Sequence, residues 1–176
     1  MELQAVYQRA AQVRLIIFDV DGVLTDGSLF YGDDGQEYKA FNSLDGHGIK
    51  MLRASGVEAA IITGRTSQVV LHRARNLGID RIFQGADDKL LPYQALLAET
   101  GLAAAQTAYM GDDIVDLPVL RRCGLALSVP HAPELVRDRA HYVTRAQAGR
   151  GAVREVCELI MRAQGSWDKQ LALYDR

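Results

Sequence analysis

Four short segments of this chain carry residues whose types and spacing can do chemistry. The first is Asp19-Val20-Asp21-Gly22, which follows directly on the apolar run Leu15-Ile16-Ile17-Phe18. In an open α/β sheet, ligands gather at the carboxyl ends of strands. Two carboxylates one residue apart at such an end can divide a reaction, one attacking phosphorus while the other gives a proton to the leaving oxygen. An Asp-Gly turn is the plain alternative for this piece alone. The second segment, Ile61-Ile62-Thr63-Gly64-Arg65, again ends an apolar run in a hydroxyl and a glycine. Thr63 and the following amide can hold a phosphoryl oxygen, and Gly64 lets the backbone approach it closely. Thr-Gly is also an ordinary way to begin a helix. The third is Lys89, a cation placed to offset phosphate and nucleophile charge together. The fourth, Tyr109-Met110-Gly111-Asp112-Asp113-Ile114-Val115-Asp116, is acid-rich directly after another apolar run. Clustered carboxylates repel unless a cation sits among them, and oxygen donors suit Mg²⁺.

These segments need a scaffold that brings strand ends together. Strands are expected at Leu15–Phe18, Glu58–Ile62, Arg81–Phe83, Thr107–Met110 and Leu125–Ser128. Helical patterns fall between them at Gly48–Ala54, Ser67–Leu77, Lys89–Thr100 and Leu117–Arg122, with Gly56, Gly78, Gly101 and Gly124 as left-handed caps. Such alternation predicts a doubly wound α/β domain with a mostly parallel sheet covered on both faces. Two segments depart from it. Ser28–Phe41 reads as a β-hairpin flap turning at Gly32-Asp33-Asp34-Gly35. Ala152–Ala163 is amphipathic, and beyond it Gln164–Arg176 reads as a tail with little periodicity.

Bulk properties fit one soluble enzyme-sized domain over 1–176. The chain has 176 residues, 48% hydrophobic and 24% charged, with a net charge of -2. That balance gives no basis for a nucleic-acid or membrane partner. The segment MELQAVYQRAAQ lacks a signal-peptide core, and Cys123 and Cys157 form no metal or disulfide pattern. A cytoplasmic protein with reduced, buried cysteines is expected.

The ordered set strand-DxDG, strand-TGR, Lys, strand-GDDxxD resembles the haloacid dehalogenase superfamily of phosphatases, with its Rossmann-like core. That resemblance implies Asp19 as nucleophile and Asp21 as general acid/base, with Thr63, Gly64 and Lys89 on the phosphate. It implies Mg²⁺ held by Asp19, the backbone carbonyl of Asp21, and Asp112, with Asp113 and Asp116 in support. Many relatives insert a cap domain between these motifs. Here the intervals hold only a hairpin, single helices and a strand, so no cap domain fits.

Three further stretches resemble the 3-deoxy-D-manno-octulosonate 8-phosphate (Kdo 8-phosphate) phosphatase family. They are Phe18–Gly27, Lys39–Asn42 with Asp45–Ile49, and Gly149–Glu155. The resemblance implies a sugar phosphate substrate from lipopolysaccharide precursor synthesis. It also implies a homo-oligomer, tetrameric in that family, in which neighbouring flaps and C-terminal segments complete each site. Asn42, Asp45, Gly46, Lys50, Arg65, Arg73 and Arg150 are then candidates for substrate contact, Arg65 and Arg73 from one helix face. Two positions depart from the family pattern, which often has Arg where Leu44 and Lys50 stand here. Loss of guanidinium geometry there bears on carboxylate recognition. His47 is expected as a helix-start residue; His72, His131 and His141 join no visible constellation.

Two other readings remain open. A phosphatase of a nine-carbon sugar acid 9-phosphate typically has Glu after Thr-Gly, where this chain has Arg65. A non-catalytic phosphatase-like oligomerisation module would not need Asp19, Asp21, Thr63, Lys89 and Asp112 intact.

Overall fold

The computed structural model describes residues 3–175. Met1, Glu2 and Arg176, which the expected domain and tail include, lie outside the described residues. Six strands form one wholly parallel sheet: β1 (Leu15–Phe18), β4 (Glu58–Ile62), β5 (Arg81–Phe83), β6 (Thr107–Met110), β7 (Leu125–Ser128) and β8 (Tyr142–Val143). Their spatial order is β5-β4-β1-β6-β7-β8. The chain therefore winds outward from β1 one way and then, from β6, the other way. That reversal puts a crevice at the carboxyl ends of β1 and β6.

Every residue of β1, β6 and β7 is buried. Successive side chains point to opposite faces, so such strands need cover on both sides. The cover comes from α1 (Leu3–Ala10), α2 (Ser43–Ala54), α3 (Gln68–Leu77), α4 (Leu90–Thr100), α5 (Leu117–Leu120), α6 (Glu134–Arg137) and α7 (Ala152–Ala163). α2 packs most extensively on α7, and α4 packs on α5. On α7, Val153, Val156, Cys157 and Ile160 are fully buried, the stripe that its amphipathic pattern requires.

The five expected strands appear with their expected bounds, and the hairpin forms a separate antiparallel pair, β2 (Phe30–Tyr31) and β3 (Glu37–Tyr38). No cap domain lies between β1 and β6 among the described residues.

Several expectations need correction. α2 begins at Ser43, five residues before its expected start, because Asn42 caps it by accepting from the Leu44 and Asp45 amides. Its glycines are packing glycines: a Cβ on Gly46 would strike the Arg73 guanidinium, and one on Gly48 would strike Arg154. Gly124 is no left-handed cap; a Cβ there would collide with the Ala105 backbone. α5 stops at Leu120, short of Arg122. The tail also carries order: α8 (Trp167–Ala172) seats Trp167 at 9% exposure, with the Arg162 guanidinium 4.6 Å from its ring centroid. His47, well inside α2, meets Tyr174 edge-on at 5.3 Å. α1, α6 and β8 are too short to carry a clear periodic signal in the sequence. In α1, Val6 and Ala10 still share one buried face.

Candidate active site

The register of β1 against its neighbours fixes the site. Phe18 lies opposite Ile61 of β4 and Met110 of β6, so Asp19 emerges level with both strand ends. Its amide donates to the Met110 carbonyl at 3.0 Å, which anchors the backbone there. Asp19, Asp21, Thr63, Gly64, Arg65, Lys89, Asp112 and Asp113 all line one cavity of about 300 Å³. Gly22 makes this convergence possible. It adopts φ 84°, and a Cβ on it would overlap the Asp112 carboxylate.

Lys89 is the buried cation at the centre, only 2% exposed. Its Nζ lies 2.7 Å from Asp19 Oδ2 and 2.7 Å from Asp116 Oδ1. Asp19 Oδ1 accepts from the Val20 amide at 2.7 Å. The nucleophile candidate is thus held at both oxygens. Burial, with Asp116 nearby, pushes the Asp19 carboxyl up to about 6, and Lys89 opposes that rise. Burial and the Asp19 and Asp116 charges push Asp112 up to about 7.

The acidic cluster has the donors of a cation site. Asp19, Asp112 and Asp116 can bring one carboxylate oxygen each within 4.8 Å of one another. Asp116, however, has spent its lone pairs. Its Oδ1 accepts from Lys89 and from the Tyr109 hydroxyl at 2.6 Å, and its Oδ2 accepts from the Asp112 and Asp113 amides at 2.9 and 3.1 Å. It braces the loop and Lys89, while Asp19 and Asp112 retain oxygens for an ion. One lysine against these carboxylates leaves an excess of negative charge, and an all-oxygen site of that charge fits a hard divalent cation.

A pH dependence follows. Asp19 and Asp112 both titrate above the ordinary aspartate value of 3.8. In the metal-free protein their contribution to stability is fully present below about pH 4. It is lost as pH rises through about 6 and about 7. A bound cation must displace those protons, so its affinity rises over the same window. Thermal melts with and without Mg²⁺ should show a larger stabilisation at pH 8 than at pH 5.5. An equal shift at both values would remove these two carboxylates from the ion site.

The remaining candidates separate into two groups. Arg65 stays at the cavity, its Nε 3.8 Å from Asp21 Oδ2 and its Nη2 3.3 Å from Glu37 Oε1, and it also donates to the Tyr31 hydroxyl. Asn42, Asp45, Gly46 and Arg73 cluster instead at the start of α2, away from the cavity lining. Arg73 donates to the Asn42 carbonyl at 3.0 Å and stacks over Phe41 at 5.6 Å. The shared helix face expected for Arg65 and Arg73 is corrected: Ser67 is extended, α3 begins at Gln68, and Arg65 precedes it.

Asp45 is buried, and its carboxylate accepts from the Gly151 and Arg154 amides at 3.3 and 2.8 Å, bracing the start of α7. Lys50 is exposed on α2, and Arg150 is exposed 3.9 Å from Asp26. Within this chain neither lines the cavity.

Among the polar neighbours that the sequence does not mark, Asp87 lines the cavity, and Lys39 and His131 reach its carboxylates. Lys39 reaches from the hairpin to within 2.5 Å of Asp21 Oδ1 and 3.1 Å of Glu37 Oε1. The period of two was the available signal, since it puts Glu37 and Lys39 on one face and exposed Tyr38 on the other. His131, from the loop after β7, lies 3.7 Å from Asp112 Oδ2. Nothing local in the sequence pointed to it.

Comparison with known proteins gives a consistent picture. No family model matches the chain. The chain is 51% identical over 159 residues to a 3-deoxy-D-manno-octulosonate 8-phosphate phosphatase of Yersinia pestis, covering 90% of this chain and 85% of that one. A probable YrbI family phosphatase from Pseudomonas syringae superposes with a TM-score of 0.97 at 53% identity, covering 98% of each chain. The 3-deoxy-D-manno-octulosonate 8-phosphate phosphatase of Moraxella catarrhalis superposes with a TM-score of 0.97 at 44% identity, covering 98% of this chain and 99% of that one. That relative was solved with a magnesium ion, a phosphate ion and a KDO molecule.

Proposed function

Because this chain belongs to the 3-deoxy-D-manno-octulosonate 8-phosphate phosphatase family, we propose that it hydrolyses that eight-carbon sugar acid phosphate to the free acid and inorganic phosphate. The observation that carries this reading is the convergence of Asp19, Asp21, Thr63, Lys89 and Asp112 on one cavity at the sheet's winding reversal. Asp19 attacks phosphorus and becomes an aspartyl phosphate. As the bond to the sugar breaks, its electron pair moves to the leaving oxygen, which takes a proton from Asp21. Asp21 then accepts a proton from water as that water attacks phosphorus and regenerates Asp19. Lys89 stabilises the charge shared between Asp19 and the phosphoryl group, and Thr63 with Gly64 binds phosphoryl oxygens.

Asp19, Asp112 and the Asp21 carbonyl would hold Mg²⁺. When bound, it neutralises charge that otherwise keeps an anionic nucleophile from an anionic phosphate. Assays of Kdo 8-phosphate, a nine-carbon sugar acid 9-phosphate and simple sugar phosphates should give the highest kcat/KM for Kdo 8-phosphate. Chelation of Mg²⁺ should abolish activity. A preference for the nine-carbon ester would overturn the substrate, and no metal-dependent turnover of any ester would support the non-catalytic reading.

Arg65 lines the cavity beyond Thr63-Gly64 and is the cation we assign to the sugar acid. Arg65→Glu should lower kcat/KM on Kdo 8-phosphate about a hundredfold, while p-nitrophenyl phosphate turnover changes far less. Equal losses on both would assign Arg65 to phosphate or to the fold.

We further propose a homo-oligomer, most plainly a tetramer, acting in the cytoplasm, where its free, buried cysteines would stay reduced. Leu29, Phe30, Tyr31 and Tyr38 on the hairpin are 46–57% exposed, an apolar surface suited to a neighbouring copy. Phe41, at the end of the hairpin segment, packs against the core instead. In an oligomer, Arg150 or a neighbour's flap could help close the site, since a capless cavity is open to water. Light scattering at low micromolar concentration tests the assembly, and a fully active monomer would count against it.

A further inference from the structure

The hairpin carries a buried charge that the reaction, as described, does not use. The Lys39 side chain is 1% exposed although neighbouring Tyr38 and Tyr31 face outward. Its ammonium is shared between Asp21 Oδ1 at 2.5 Å and Glu37 Oε1 at 3.1 Å. Glu37 in turn accepts from Arg65, which also donates to Tyr31 on the facing strand. The hairpin is therefore fastened to the cavity by one connected set of charges. An ammonium at that depth is tolerated only with carboxylate partners. Hairpin position and the Asp21 side-chain rotamer are thus set together.

The two oxygens of Asp21 differ as a result. Oδ1 is occupied by Lys39. Oδ2 is buried without a hydrogen-bond partner, with Arg65 Nε 3.8 Å away, and Asp21 and Arg65 both line the cavity. An unpartnered buried oxygen on a carboxylate that lines a cavity calls for an explanation, and a catalytic role is one that fits here.

We propose that Lys39 is a positioning residue that latches the flap to Asp21 and reserves Oδ2 for the leaving group. Lys39 touches no reacting atom. The phosphorus–oxygen bond to the sugar breaks as Asp19 bonds to phosphorus, the leaving oxygen keeps the electron pair, and the proton comes from Asp21 Oδ2. Lys39 holds that oxygen in place and ties its placement to a seated flap. The inference rests on Asp21 being the proton donor.

The test compares leaving groups. A sugar alkoxide needs a proton to depart, whereas p-nitrophenolate does not, so a misplaced acid penalises the first and spares the second. Rapid-mixing measurements of leaving-group release should show Lys39→Met slowing Kdo 8-phosphate at least about tenfold more than p-nitrophenyl phosphate. Lys39→Arg should recover part of that difference. Lys39→Gln serves the same comparison where Lys39→Met does not fold. In a second arm, amide hydrogen exchange over residues 30–39 should quicken in Lys39→Met and in Asp21→Ala alike, since each removes one half of the latch. Equal losses on the two esters would make Lys39 a fold-supporting residue, and unchanged exchange in both variants would remove the latch. Asp21→Asn losing both esters equally would instead remove Asp21 as the acid. The exchange arm needs no turnover and would still decide the latch.

Discussion

Asp19→Asn is expected to cut turnover about ten-thousand-fold or more while the protein still folds. The amide is nearly isosteric and can keep the Val20 contact at the loss of the Lys89 one, but it cannot attack phosphorus as a carboxylate does. It also takes one negative charge away from a cluster in which Asp19, Asp112 and Asp116 repel one another. That relief offsets part of the lost Lys89 contact, and Lys89 keeps Asp116 as a partner, so the metal-free variant should stay folded. Circular dichroism and thermal melts beside the phosphate-release assay check both halves. Near-wild-type, Mg²⁺-dependent turnover in contaminant-free Asp19→Asn protein would end the case for Asp19 as nucleophile.

The second large effect is expected from Lys89→Met. Lys89 is 2% exposed and bridges Asp19 and Asp116 at 2.7 Å each. Methionine fills a similar volume but leaves two buried carboxylates without their common cation. Removing one member of a buried charge set costs roughly 3–5 kcal/mol. The metal-free variant should lose stability of that order, and Mg²⁺ should restore part of it by supplying charge to the same cluster. Turnover should fall about a hundred- to thousandfold even at saturating Mg²⁺, since a fixed donor to the transition state is gone. Denaturant titrations with and without Mg²⁺ separate the two losses. A stable variant with undiminished kcat would show that Lys89 only fills space.

Much of this site was legible because catalytic positions sit where strands end, and strand ends are the best-marked features of an α/β sequence. The apolar runs before Asp19, Thr63 and Gly111 form strands with the expected bounds, and the parallel register then brings their ends level. Helix starts read less well. Gly46 and Gly48 weaken the helical pattern of α2, yet they are there because Arg73 and Arg154 pass too close for a Cβ. That is a tertiary reason, invisible in local propensity. Asp45 shows the same limit: the family resemblance implies a substrate contact there, while its oxygens serve amides more than a hundred residues away. Lys39 was half legible. Strand alternation puts it on one face with Glu37, but only the folded hairpin reveals that Lys39 pairs with Asp21 as well. His131 reaches Asp112 from a loop with no periodic signal. Trp167 was the one overlooked cue in the tail, since so large an apolar side chain rarely stays in water.

Acid quenching of the enzyme during turnover of Kdo 8-phosphate with Mg²⁺, followed by borohydride reduction and peptide mass analysis, reads out the covalent step at the residue that carries it. An acyl phosphate on Asp19 should appear as its reduced derivative in the peptide spanning β1 in wild-type protein, and it should accumulate in Asp21→Asn when p-nitrophenyl phosphate, whose leaving group needs no proton, replaces the sugar ester. A burst of released sugar acid with no modification at Asp19, or with the phosphoryl group trapped on a different residue, would contradict it.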